Sequence, residues 1–135
     1  MFSPVGFSNI PEIGDIEVFV KGQEIHLFYL TLPNHDIIGH AVSRDGLTWQ
    51  ELPDALHTGN PGSYDDDMLW TMSVLRYKNQ YYMFYTALSK ADKGQIQRVA
   101  LATSSDLIHW EKHPKNPIGE ADPRWYETEP LRGMV

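Results

Sequence analysis

Two stretches of this chain carry one pattern. Glu17 to Leu32 reads EVFVKGQEIHLFYLTL, and Ser73 to Leu88 reads SVLRYKNQYYMFYTAL; with Phe28-Tyr29 set against Phe84-Tyr85 the copies lie 56 residues apart. Further on, HAVSRDGLTW (His40 to Trp49) returns as LATSSDLIHW (Leu101 to Trp110) after 61 residues. The five residues of difference fall around Lys90 to Gly94, in a polar connection. A repeat whose insertion is confined to a connection is what an array of like units shows.

Each unit reads as β-structure. No window keeps an apolar stripe at i, i+3, i+4 and i+7 free of Gly, Pro or β-branched residues, so helix is disfavoured throughout. Strands are expected at Ile16 to Val20, Ile25 to Leu30, Ile37 to Ser43 and Thr48 to Leu52, and then at Trp70 to Leu75, Gln80 to Ala87, Gln97 to Thr103 and His109 to Lys112. Short turns at Lys21 to Glu24 and Lys78-Asn79 make the first pair of each set a hairpin. The expected fold class is therefore all-β, with two four-stranded antiparallel meanders of the kind that form propeller blades. Blade one spans about 14–56, blade two about 65–113, and an irregular tail 114–135. The Gly-, Pro- and Asp-rich segment His57 to Asp67 links the blades as a loop.

Two blades do not close a ring, since propellers use roughly four to eight. The expectation is that other blades complete it, either from partner chains in a homo-oligomer or from a missing C-terminal portion of a longer product.

Composition removes several function classes. A net charge of −7 and the lack of a basic cluster speak against nucleic acid. No run approaches the ~18 apolar residues of a membrane span. The N-terminus has no basic start followed by an apolar run, which leaves cytoplasmic and secreted locations both open. There is no cysteine, and the six histidines form no HxxH or HExxH arrangement, so no metal and no cofactor are expected.

The most specific local motif is S-x-D-x-x-x-W, present as Ser43 to Trp49 and as Ser104 to Trp110. Its chemistry is structural: the carboxylates of Asp45 and Asp106 are placed to accept backbone N–H groups of their turns, and the tryptophans to pack between blades.

Taken in order, GDIEVFVKGQEIHLFYL, GHAVSRDGLTWQELPDAL and RVALATSSDLIHWEKHPKNPI resemble the five-bladed propeller glycoside hydrolases of the furanosidase clan. These are the invertase and levanase relatives of family 32 and the arabinanase and xylosidase relatives of family 43. The resemblance covers Gly14 to Tyr126. It implies a glycosidase acting on a fructosyl- or arabinosyl-type furanoside, with carbohydrate as the partner. It places the first catalytic carboxylate at Asp15, on the innermost strand of blade one, where Gly-Asp-Ile-Glu stands in place of the family 32 N-D-P-N-G; the other reading of Asp15 is a turn cap. It also implies substrate-binding roles for Trp70 as a stacking platform, for Thr71 and Asp67 beside it, and for His40 at the G-H-A position. For His40 a satisfied core histidine is the alternative; Asp65 and Asp66 read as a solvated acidic loop, with Asp66 the alternative to Asp67 at a sugar hydroxyl.

The clan's R-D-P aspartate and its general acid glutamate have no counterpart here, Asp122-Pro123 and Glu127 lying outside any matching strand. Glycoside hydrolysis takes two carboxyl groups, so the chain by itself is expected to be incomplete and inactive. The alternative function is a non-catalytic carbohydrate-binding or truncated propeller module.

Overall fold

A computed structural model describes residues 12–120. Among them are eight strands, β1 (Ile13–Lys21), β2 (Glu24–Thr31), β3 (Ile37–Ser43), β4 (Gln50–His57), β5 (Met68–Tyr77), β6 (Gln80–Leu88), β7 (Arg98–Ser104) and β8 (Glu111–Lys112). They form two four-stranded antiparallel sheets in the orders β1-β2-β3-β4 and β5-β6-β7-β8. The five-residue insertion becomes a 3-10 turn over Lys90–Asp92 in the β6–β7 connection.

Side-chain alternation dictates how the sheets stack. In β6, Tyr81, Met83, Tyr85 and Ala87 are buried while Tyr82, Phe84 and Thr86 are half-buried. A period of two sends one set to each face. The buried set meets Phe28, Leu30, Ile38 and Leu56 of the first sheet in one continuous core. Phe28 takes the edge of Trp110 (5.7 Å between ring centroids), and Phe19 meets Tyr81 edge-on at 5.6 Å. A second cluster of Leu27, Tyr29, Ala41 and Trp49 lies on the opposite face of the first sheet. The two motif tryptophans thus divide: Trp110 packs between the two sheets, and Trp49 lies on the far face of the first.

Both aspartates of the S-x-D-x-x-x-W motif cap their turns. Asp45 Oδ1 accepts from the N–H groups of Leu47 and Thr48, each at 2.8 Å, and Asp106 Oδ1 accepts from those of Ile108 and His109, also at 2.8 Å. These bonds stabilise the ionised form. Asp45 is held below the usual carboxylate range by the Thr48 and Leu47 N–H groups, and Asp106 by the His109 ring at 2.7 Å and then by backbone N–H groups.

One expectation needs correction. The fourth strand of the first sheet runs to His57, well past Leu52. Pro53 suggests a stop, but β4 is the edge of its sheet and carries an irregular register opposite Gly39, where a missing N–H costs no ladder bond. Over its described part the tail is irregular chain tied down at isolated points. Val99 pairs with Gly119, and the Asn116 side chain bonds both the N–H and the C=O of Leu101 at 2.9 Å, so single residues replace a continuous outer strand. Asp122, Pro123 and Glu127 lie outside the described residues.

Candidate active site

The innermost strands β1 and β5 lie side by side, and each carries a bulge at the same place. In β1 the pairing steps from Ile13↔Thr31 to Ile16↔Tyr29, so Gly14 and Asp15 together face Leu30. In β5 it steps from Trp70↔Thr86 to Met72↔Tyr85, leaving Thr71 as the extra residue. A bulge re-aims the side chain it carries. Gly14 suits its position because a Cβ there would sit 3.3 Å from the side chains of Leu30 and Leu32.

Asp15 and Thr71 stand at equivalent positions, 56 residues apart, and they touch: Thr71 Oγ1 donates to Asp15 Oδ2 at 3.0 Å. Two residues along, Glu17 Oε2 accepts the Val74 N–H at 2.8 Å, which pins the two strands a second time. Glu17 was not anticipated, although the repeat offset that pairs Asp15 with Thr71 also brings Glu17 beside the same strand.

A cleft of about 340 Å³ opens at the bulges, lined by Gly14, Asp15, Leu30, Leu32, His35, Trp70 and Thr71. Asp15 and Thr71 are exposed in it and Trp70 is half-buried. The Trp70 ring meets the His35 imidazole edge-on, with centroids 6.4 Å apart at 76°. Its Nε1 is buried with no hydrogen-bond partner among the described residues. Of the residues singled out in the sequence, Asp15, Trp70 and Thr71 therefore come together. His35 joins them unannounced, because only a contact between distant turns puts it there.

Asp67 and His40 do not line this cleft. The Asp67 N–H donates to Leu88 O at 3.0 Å, and its carboxylate lies against Gly94, where a Cβ would come within 2.8 Å of Oδ2. His40 takes the second of its two readings, the satisfied core histidine, and is fully buried. Its ring stacks on Phe28 (centroids 4.1 Å, 16°) and its Nε2 is 2.8 Å from His26 Nδ1. Glu24 Oε1 lies 3.2 Å from His26 Nε2. Which of the two rings donates depends on their tautomers. Burial, and then the neighbouring His26, push the His40 pKa down to about 3, so it is a neutral core side chain.

Within the acidic run Asp65 is not solvated, whereas Asp66 remains in reach of solvent. Asp65 is 1% exposed and pairs with Lys112 Nζ at 2.7 Å, while Ser63 Oγ donates to it at 3.1 Å. Asp66 accepts the N–H groups of Lys90 and Gly62 at 2.8 Å each, and these bonds hold its carboxyl below the ordinary range. No group of three or more potential metal ligands occurs among the described residues, and no helix there is long and apolar enough to cross a membrane.

Comparison with known proteins matches residues 13–132 to the glycosyl hydrolases family 32 N-terminal domain. The chain belongs to glycosyl hydrolase family 32. An acid beta-fructofuranosidase of Phaseolus vulgaris is 40% identical over 102 residues, which cover 69% of this chain and 15% of that enzyme. The crystal structure of fructan 1-exohydrolase IIa from Cichorium intybus superposes with a TM-score of 0.66 at 25% identity, over 96% of this chain and 24% of that one. A thermostable family-43 glycoside hydrolase shares the fold, with a TM-score of 0.70 at 24% identity over 87% of this chain and 36% of that one. The two sheets are thus part of a propeller domain of the furanosidase type. This family 32 chain spans about 15% of the length of its Phaseolus relative.

Proposed function

We propose that the protein hydrolyses a β-fructofuranosyl bond of a sucrose- or fructan-like saccharide, with Asp15 as one of the two carboxyl groups that flank the bond. The observation that carries this reading is the Asp15–Thr71 pair, a carboxylate raised on a bulge and oriented by a hydroxyl from the neighbouring inner strand, in a cleft walled by an indole. Fructosyl transfer passes through an oxocarbenium-like centre. A carboxylate facing that centre stabilises its charge, and an aromatic wall gives the sugar's apolar face a surface to rest on. The Thr71 hydroxyl fixes the plane of the carboxylate before substrate arrives, so less of that ordering remains for the bound state.

Asp15 acts either as nucleophile, with carboxyl groups ~5–5.5 Å apart, or as base to a water, with ~6.5–9.5 Å between them. In both cases the proton donor is a carboxyl group from outside the described residues. Among those residues Glu17 is the nearest other carboxylate along β1, and the Val74 N–H occupies it.

The test is release of fructose from sucrose and from a short inulin-type oligosaccharide by the full-length protein, with Asp15→Asn beside it. Turnover is expected to fall by about 10²–10⁴-fold in the variant, with saccharide affinity by calorimetry nearly unchanged. A wild-type protein that binds the saccharides without cleaving them would make this a carbohydrate-binding module and overturn the enzymatic reading.

A further inference from the structure

His35 sits in the β2–β3 connection, in the left-handed region at φ 53, a conformation that most side chains avoid and that histidine, asparagine and glycine adopt more readily. Its backbone is held from both sides. The His35 N–H donates to Thr31 O at 2.9 Å within the first sheet, and its carbonyl accepts the Leu69 N–H at 2.8 Å from the second. The next residue, Asp36, accepts the Thr58 N–H at 2.9 Å. The loop is therefore clamped between the blades, and the imidazole it presents stands half-buried against Trp70 on the wall of the Asp15 cleft.

We infer that His35 is a substrate-positioning residue, whose ring nitrogens hydrogen-bond a hydroxyl of the saccharide seated between Trp70 and Asp15. Three features point the same way. No hydrogen bond to the imidazole occurs among the described residues, and His35 lines the cleft, so its ring nitrogens are left for a ligand there. Backbone held in a sparsely populated conformation at a cleft is a mark of functional sites. Trp70 is braced by the same ring, so one side chain supplies both a polar contact and the support of the apolar wall. A few convergent polar groups on an otherwise apolar wall are what fix a ligand's orientation.

The inference rests on reading this cleft as a sugar site, and the experiment separates the two. In the full-length protein, His35→Gly keeps the left-handed backbone and removes the ring, whereas His35→Asn keeps the backbone and puts an amide where Nδ1 stood. For sucrose hydrolysis, His35→Gly is expected to raise KM about tenfold with kcat within about twofold, the equivalent of one lost contact of ~1.4 kcal/mol, and His35→Asn to recover most of that loss. Sucrose affinity is measured in parallel by calorimetry in the Asp15→Asn background, which reports on His35 whether or not turnover occurs. An unchanged KM and unchanged affinity in His35→Gly would overturn the inference while leaving the cleft's activity standing. A fall in kcat alone, with affinity intact, would reduce His35 to a brace for Trp70 and overturn it equally.

Discussion

Among single residues, His40 has the sharpest thermodynamic consequence. Its pKa is about 3 in the folded chain against the ordinary 6.5, because the ring is buried on Phe28 and beside His26. The folded state therefore refuses a proton that the unfolded state accepts. Its contribution to stability is complete above pH 6.5 and is lost as pH falls from 6.5 towards 3, by up to ~1.4 kcal/mol per pH unit. The turn-capping carboxylates of Asp45, Asp66 and Asp106 are held below their usual range and stay ionised in the upper part of that window. Urea unfolding at pH 7 and pH 5 is expected to show a loss of about 2 kcal/mol. The variant His40→Gln should lose less than half as much. Equal losses in both proteins would assign the acid limb to other groups. At this scale the sequence was a poor guide. A histidine in a G-H-A string and three consecutive aspartates read the same whether they face sugar, solvent or core; what decides is a partner such as His26 or Lys112, brought close only by the fold.

The elements were far more legible. The repeat offsets of 56 and 61 residues predicted two hairpin-led meanders and the position of the inserted connection, because period-two alternation survives any choice of surface residues. β4 escaped because Pro53 reads as a break unless one knows that the strand is an edge. The bulges escaped as well, since a one-residue register step leaves no mark in hydropathy. On the proposed function they position the catalytic group: the pair of bulges in β1 and β5 sets Thr71 Oγ1 against Asp15 Oδ2. Replacing Thr71 by Val keeps the β-branched shape and removes the donor. Hydrogen bonds to charged groups contribute ~1.5–3 kcal/mol, and solvent exposure argues for the lower end. In the full-length protein, Thr71→Val is expected to cut kcat about tenfold with a melting temperature within about two degrees of wild type. Wild-type kcat in this variant would mean that something else orients the carboxylate.

Across the whole molecule the two sheets are joined at both rims. Asp15–Thr71 and Glu17–Val74 tie the inner strands, and at the outer rim Lys112 Nζ reaches across from β8 to His57 O of β4 at 2.6 Å and to the buried Asp65 at 2.7 Å. Removing one member of a buried pair strands the other charge, which typically costs about 3–5 kcal/mol. Lys112→Met is expected to destabilise the protein by that amount in chemical denaturation, and the double variant Lys112→Met/Asp65→Leu to recover a large part. A single variant as stable as wild type would show that Asp65 finds solvent or a second cation. The inner rim carries a different consequence. The two units are geometric equals about a pseudo-symmetric boundary, and a strictly symmetric array would raise the same group on every inner strand, giving several weak places for a sugar and no defined one. Here one bulge bears a carboxylate and its twin a hydroxyl that serves it. Chemical inequality at a position of structural equality is what turns a repetitive scaffold into a molecule with a single direction of approach.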